Sequence, residues 1–248
     1  MTMRHLFITA ASHTGCVRSK NEDMVLVGDW CARNAKVRKI VTLEKTDRYL
    51  CSVADGMGGY SGGDIASKEV LNNLQFFYSD IPTGLSDEEF RKLFDDWLRS
   101  ISIQISSQGL SNKECSDMGT TLVAFAYYQG QFYWINCGDS RLYLLHDGHL
   151  QQLTTDHTLN SAQHSGYVTN CIGGGNKHSY IDMENFTKLF RDGDTLLLCS
   201  DGLSEMVNEE SIAQLLNDGF DADALCMAAE DAGGIDNVSA IVIRTQDI

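Results

Sequence analysis

The chain has 248 residues, 43% of them hydrophobic and 21% charged, a make-up that supports an ordinary globular core and excludes extensive disorder. Thirty-four acidic against 19 basic residues give a formal charge of −15, a field that repels nucleic-acid backbones and anionic membrane surfaces, so neither is expected as a partner. The eight cysteines show no C-x-x-C pair and no tight His/Cys spacing, and no apolar run is long enough for a secretory signal or a membrane span. Zinc sites and disulfide scaffolds are therefore disfavoured, and a reducing, cytoplasmic compartment is expected.

From the N-terminus, "HLFITAASHTG", "MVLVGDW", "KVRKIVTL" and "RYLCSVAD" predict strands, being β-favouring runs broken by turn formers. In "GGDIASKEVLNNLQFFYS", Ile65, Val70, Leu71, Leu74 and Phe77 fall at helical spacing, and a second helix opens after Ser86 with an acidic first turn. Beyond residue 118 the pattern returns to strands, with hairpin turns at Gln129-Gly130 and Asp147-Gly148. Residues 156–178 read as a polar, Gly-rich loop. "TLLLCSDG" then predicts a strand, "NEESIAQLLNDG" and "DADALCMAAEDAG" helices, and "VSAIVIR" a last strand.

Strands gathered into hairpins, rather than alternating singly with helices, predict antiparallel sheets with helices on their outer faces. The expected fold class is α+β: a four-layer α-β-β-α sandwich of two antiparallel sheets. With one proline, Pro82, and no low-complexity tract, no linker is visible and residues 1–248 read as one domain.

Four acidic residues mark strand ends: Asp55 after "YLCSVA", Asp139 after "FYWINCG", Asp201 after "TLLLCS", and Asp236 before "NVSAIVI". Strand ends can bring such side chains into one cleft, where uncompensated carboxylates repel each other. A hard divalent cation relieves that repulsion, and an all-oxygen ligand set selects Mg²⁺ or Mn²⁺ over zinc. Gly56 lets the backbone approach such an ion, so its carbonyl is a further candidate ligand. "VRSKNED" adds Glu22 and Asp23, with Arg18 suited to gripping a phosphate through two parallel hydrogen bonds.

In this order along residues 15–243, "GCVRSKNED", "VADGMGG", "DMGTTLVAF", "NCGDSRLYLL", "LTTDHTL", "LLLCSDGL" and "GGIDNVSAIVI" resemble the metal-dependent protein phosphatases of type 2C, the PPM family, in its bacterial-type form. The resemblance implies a β-sandwich flanked by helices, two Mg²⁺ or Mn²⁺ ions, and hydrolysis of phosphoserine and phosphothreonine in proteins. It also implies an opposing serine/threonine kinase. By matching motif, Asp55 would bridge both ions, Asp201 and Asp236 would complete one, and Glu22 or Asp23 with the Gly56 carbonyl would serve the other. Arg18 matches the family's phosphate-binding arginine, and Asp139 a ligand of a third, weaker metal. Water activated between the ions would attack phosphorus directly.

Two departures stand out. Met57 occupies the position where some members keep a general-acid histidine after Asp-Gly, so the leaving group's proton must come from elsewhere. The flap around residues 156–178 is shorter than in bacterial-type relatives, which leaves open a catalytically weak module that binds phosphoproteins as a regulator, or an enzyme for small phosphoesters.

Plainer roles are expected for other residues in these motifs. Asp147 and Asp194 read as turn residues, Thr120 and Thr121 as packing and hydrogen-bonding groups in a strand, Arg141 as a structural ion pair beside the site, and His157 as a local turn group. Cys51, Cys137 and Cys199 read as small core residues.

Overall fold

The computed structural model describes residues 4–58, 62–111, 115, 117–161, 164–176 and 178–246. Strands β1 (Arg4–His13), β2 (Met24–Val27), β3 (Trp30–Ala32), β4 (Ala35–Leu43), β5 (Arg48–Ala54) and β6 (Gly56–Met57) precede helices α1 (Gly63–Asp80) and α2 (Asp87–Ser111). Then come β7 (Gly119–Thr120), β8 (Leu122–Tyr128), β9 (Gln131–Cys137), β10 (Arg141–His146), β11 (His149–Gln152), β12 (Thr158–Ser161), β13 (His164–Val168), β14 (Ile172–Gly173), β15 (Asp182–Asn185) and β16 (Thr195–Cys199). The chain closes with α3 (Asp201–Ser204), α4 (Glu209–Asn217), α5 (Ala222–Asp231) and β17 (Val238–Gln246).

Two six-stranded sheets, ordered β11-β10-β16-β17-β1-β4 and β15-β9-β8-β5-β2-β3, are built from antiparallel pairs. Strand alternation divides their side chains between layers. Leu6, Ile8, Val53, Val123, Phe125, Ile241 and Ile243 fill the space between the sheets. Ala54, Leu122, Ala124 and Tyr128 turn outward beneath α1 and α2, and Val238, Ala240 and Val242 outward beneath α4 and α5. Because helices cover both outer faces, "LVAFAYY" is buried at every position and reads as a continuous apolar run. The architecture is the expected four-layer α-β-β-α sandwich.

Local chemistry explains the element ends. Both expected hairpin turns carry two left-handed residues in succession, with φ of 49° and 82° at Gln129-Gly130 and 46° and 80° at Asp147-Gly148, matching the twist of the strands they join. Ser86 and Glu89 form a reciprocal cap on α2: Ser86 N donates to Glu89 Oε2 at 2.9 Å and Glu89 N to Ser86 Oγ at 3.3 Å.

The structure differs from expectation in two places. Ile65 faces outward, 41% exposed, and the buried stripe of α1 runs through Ala66, Val70, Leu71, Leu74 and Tyr78. Residues 156–178 are not a plain loop: β12 and β13 pair as a hairpin, with Leu159 opposite Tyr167, and β14 joins β7 and β6 in a small sheet. Leu159 and Tyr167, opposite one another, are both exposed, so the face they share gives no apolar signal in the sequence. Gly59 of "VADGMGG", and Ala162, Gln163 and Lys177 of the loop, lie outside the described residues.

Candidate metal centre

Strand register brings the acidic residues together. β2 pairs with β5 so that Met24 faces Ala54, which sets Asp23, just before β2, beside Asp55, just after β5. β16 pairs with β17, and Asp201 leaves the first at the end where Asp236 approaches the second. Asp139 sits in the connection from β9 to β10.

Backbone hydrogen bonds fix Asp55. Its amide donates to Thr121 Oγ1 at 3.0 Å, and its carbonyl accepts from Thr121 N at 2.9 Å and Thr120 Oγ1 at 2.8 Å. Thr121 Oγ1 also lies 2.7 Å from Ser140 Oγ, next to Asp139. Gly56 follows in a space too small for any side chain, since a Cβ there would lie 2.1 Å from the Gly63 carbonyl oxygen and 2.6 Å from that of Glu22. The first turn of α1 and the Glu22 backbone thus close on Asp55.

The electrostatics are those of an uncompensated cluster. Burial, then the charges of Asp23 and Asp201, push the Asp55 carboxyl well above the usual carboxylate range, and a side-chain hydrogen bond joins it to Asp201. Asp201 is itself raised by burial, against the relief of the Asp55 hydrogen bond. Burial lifts Asp23 to about 7 despite the hydrogen bond from Ser200 at 2.8 Å, and burial with the Asp201 charge lifts Asp139 to about 7. Glu205, raised by burial and by Asp201 and Asp236, joins the wall.

The neighbouring cations are committed elsewhere. Arg18 Nη2 reaches Asp236 Oδ2 at 2.7 Å and Lys20 Nζ reaches Asp64 Oδ1 at 2.6 Å. Buried oxygens Asp23 Oδ1 and Asp201 Oδ1 have no hydrogen-bond partner. Among the described residues, no three His, Cys, Asp or Glu side chains are placed so that they could hold a metal ion as they stand. Orphaned carboxylate oxygens in a cluster whose carboxyls are pushed above their usual range fit a hard divalent cation, whose charge would offset their repulsion.

Several supporting residues carried no site role in the sequence reading. Asn237 ties together the two loops that carry Glu22 and Asp236: its Oδ1 accepts from Glu22 N at 2.8 Å, and its Nδ2 donates to the carbonyls of Thr14 and Lys20 at 2.8 and 2.9 Å. Ser200 holds Asp23 from behind, its Oγ in turn accepting from Ser239 N at 3.0 Å. Their only signal was position, one residue from an acidic candidate or within the last strand. Arg141 pairs with Asp156 through Nε and Nη2, at 3.0 and 2.7 Å, a structural ion pair as expected. His157 is buried rather than a turn group: Nδ1 accepts from Gly138 N at 3.1 Å, which leaves Nε2–H to donate to Asp182 at 2.9 Å. A hollow of about 830 Å³ between the second half of α2 and residues 175–180 contains none of the acidic cluster.

A layered sandwich with orphaned carboxylates gathered at its strand ends defines a class, the divalent-cation-dependent phosphoester hydrolases. The Protein phosphatase 2C family matches residues 39–228, and the chain belongs to that family. It is 31% identical to the serine/threonine phosphatase stp of Listeria monocytogenes over 219 residues, covering 81% of this chain and 86% of that one. Serine/threonine protein phosphatase PstP of Mycobacterium tuberculosis is 32% identical over 252 residues, covering 96% of this chain and 45% of that longer protein. The solved catalytic domain of a PstP in complex with two manganese ions superposes with a TM-score of 0.75 at 30% identity, covering 99% of this chain and 100% of that one.

Proposed function

We propose that this chain is a metal-dependent serine/threonine protein phosphatase, one catalytic domain spanning residues 1–248 with a shortened flap at 156–178. The observation that carries the assignment is the cluster of carboxylates at one end of the sandwich, where Asp23, Asp55 and Asp201 are pushed above the usual carboxylate range and Asp23 Oδ1 and Asp201 Oδ1 are left unpartnered. In this reading Asp55, Asp201 and Asp236 with Glu22 or Asp23 and the Gly56 carbonyl hold two Mg²⁺ or Mn²⁺ ions, and Asp139 supports a third. When bound, such cations acidify a water and offset charge on the phosphoryl oxygens.

The chain's own groups do the rest. Thr120 and Thr121 fix the Asp55 backbone, Ser200, held by the Ser239 amide, orients Asp23, and Asn237 sets the distance between the Glu22 and Asp236 loops. Arg18, exposed over half its side chain, keeps one edge of its guanidinium for Asp236 and offers the rest to a phosphate dianion. Met57 has no proton to give a leaving alkoxide. The cluster is complete in the sequence, which favours turnover over a binding-only regulator.

Phosphorylated proteins made by an opposing serine/threonine kinase are the proposed substrates. Eight cysteines, six of them buried and none in a disulfide, support action in a reducing cytoplasm; among the described residues no helix is long and apolar enough to cross a membrane. The decisive experiment is turnover of para-nitrophenyl phosphate and a phosphothreonine peptide with and without Mn²⁺, alongside calorimetry. Absence of both turnover and metal binding would overturn the assignment.

A further inference from the structure

The loops that carry Arg18 and Asp236 each expose one large aliphatic side chain: Val17 is 66% exposed and Ile235 57%. One exposed apolar residue on a surface needs no explanation. These two, however, come from opposite ends of the chain and are locked together. The Gly234 carbonyl accepts from the amides of both Cys16, at 2.8 Å, and Val17, at 3.3 Å, so the Val17 backbone lies against residues 234–235. Gly234 has a φ of 53°, and a Cβ there would lie 2.8 Å from Cys16 Sγ and 2.9 Å from Cys16 N; only glycine permits the approach. The Asn237 bridge to Thr14 and Lys20 and the Arg18–Asp236 pair hold the same two loops on the other side.

Val17 and Ile235 therefore make one fixed apolar lip, each a single residue from a group assigned to the reaction. Successive Cα atoms of a peptide are about 3.8 Å apart, so with a phosphate seated at Arg18 the neighbours of the phosphorylated residue fall beside the lip. An aliphatic neighbour gains contact there. An acidic one is desolvated against Val17 and Ile235 and faces the carboxylates of Glu22, Glu205 and Asp236.

Resting on the phosphatase reading above, we infer that Val17 and Ile235 determine specificity: they select phosphorylated sites whose immediate neighbours are aliphatic over sites whose neighbours are acidic. The test is kcat/KM, with Mn²⁺, on three phosphothreonine peptides flanked on both sides by Leu, Ser or Asp. The enzymes compared are the wild type, Val17→Ser, Ile235→Ser, the double variant and, as the conservative replacement, Val17→Ile. The wild type should prefer the Leu-flanked over the Asp-flanked peptide by about tenfold, the scale on which apolar contacts discriminate substrates. Each Ser variant should narrow that ratio, the double variant should bring it within about twofold, and Val17→Ile should keep it.

Fluorescence anisotropy of the same peptides on the Asp55→Asn protein should give the same order in affinity without turnover. Equal wild-type rates on the Leu and Asp peptides, or a double variant that keeps the whole preference, would overturn the inference and leave the phosphatase assignment standing. No turnover of any peptide would overturn the assignment itself, and the inference with it.

Discussion

At the start of α5, Asp221 and Asp223 sit among cations: Lys36 Nζ reaches Asp223 at 2.7 Å, Arg38 Nη2 reaches Asp221 at 3.0 Å, and His13 Nε2 lies 3.1 Å from Asp223. At the strand ends, Asp23, Asp55, Asp139 and Asp201 face chiefly one another. The Lys36 hydrogen bond holds the Asp223 carboxyl below the usual carboxylate range, whereas burial lifts all four at the mouth above it. The same residue type is a surface ion pair in one place and a cluster short of countercharge in the other. What separates them is the supply of that countercharge: β4 brings its own, and the mouth, in the proposed reading, takes it from a bound divalent cation.

The sharpest way to break this contrast is to exchange one carboxylate in each region. Asp55→Asn should lower Mn²⁺-dependent turnover by on the order of 10³, measured on a phosphothreonine peptide. The metal-free variant should be at least as stable as the wild type, because an amide keeps a donor toward Asp201 and removes a buried acid. Excess Mn²⁺ should raise the wild-type thermal midpoint, with stabilisation of about 2.7 kcal/mol at a hundred times the dissociation constant, and should raise that of Asp55→Asn much less. Equal metal-induced shifts in the two proteins would contradict the role given to Asp55.

Next in size is pH dependence, where the two regions have opposite signs. Asp23 and Asp139 titrate near 7 in the fold against an ordinary 3.8, so between these values the folded state holds more protons than the unfolded one. Their contribution is fully present below about pH 4 and is lost as pH rises through about 7. For fully buried Asp23 this amounts to several kcal/mol. Urea denaturation of chelator-treated protein should show stability falling from about pH 4.5 to 7.5, and saturating Mn²⁺ should remove that fall by taking the place of the protons.

A smaller effect belongs to Arg18, which bridges the two kinds of chemistry: it is an ion pair with Asp236 and a candidate phosphate ligand. Arg18→Ala should raise KM for phosphopeptide about tenfold with a lesser change in kcat, and Arg18→Lys should recover only part, since an ammonium cannot reproduce the two-pronged contact. A fall in kcat alone would assign Arg18 to fixing Asp236 rather than to gripping substrate.

Much of this was legible in the sequence. The layered fold follows from hairpin-spaced strands and two helix pairs, and the acidic candidates from their places at the ends of apolar runs. The structure brings Asp23, Asp55, Asp139 and Asp201 close enough to perturb one another, with Asp236 acting on Asp23 and Asp201. Local pattern could not say which carboxylates lack countercharge. Asp223 and Asp201 look alike as residues, and only the register of β4 beside β1, which carries Lys36 to α5, tells them apart. The β12–β13 hairpin was invisible because the face carrying Leu159 and Tyr167 is exposed, and Asn237 because its three side-chain hydrogen bonds reach residues 14 to 22, more than two hundred positions away.

The smallest effect is expected at Asp223, and it tests the contrast from the other side. Because its carboxyl is held below the ordinary value, its contribution exists at neutral pH and fades as pH falls through its folded value, the reverse of Asp23. Lys36 is largely exposed, so water and salt screen the pair and little net stability remains. Asp223→Asn should therefore leave Mn²⁺-dependent turnover unchanged and lower the thermal midpoint only slightly at pH 7 and low salt, with the difference vanishing in about 1 M salt, where the screening length falls to about 3 Å. If instead turnover fell with the midpoint, α5 and β4 would be coupled to the mouth through His13 and the Thr14–Asn237 hydrogen bond. The two acidic regions would then have to be treated as one.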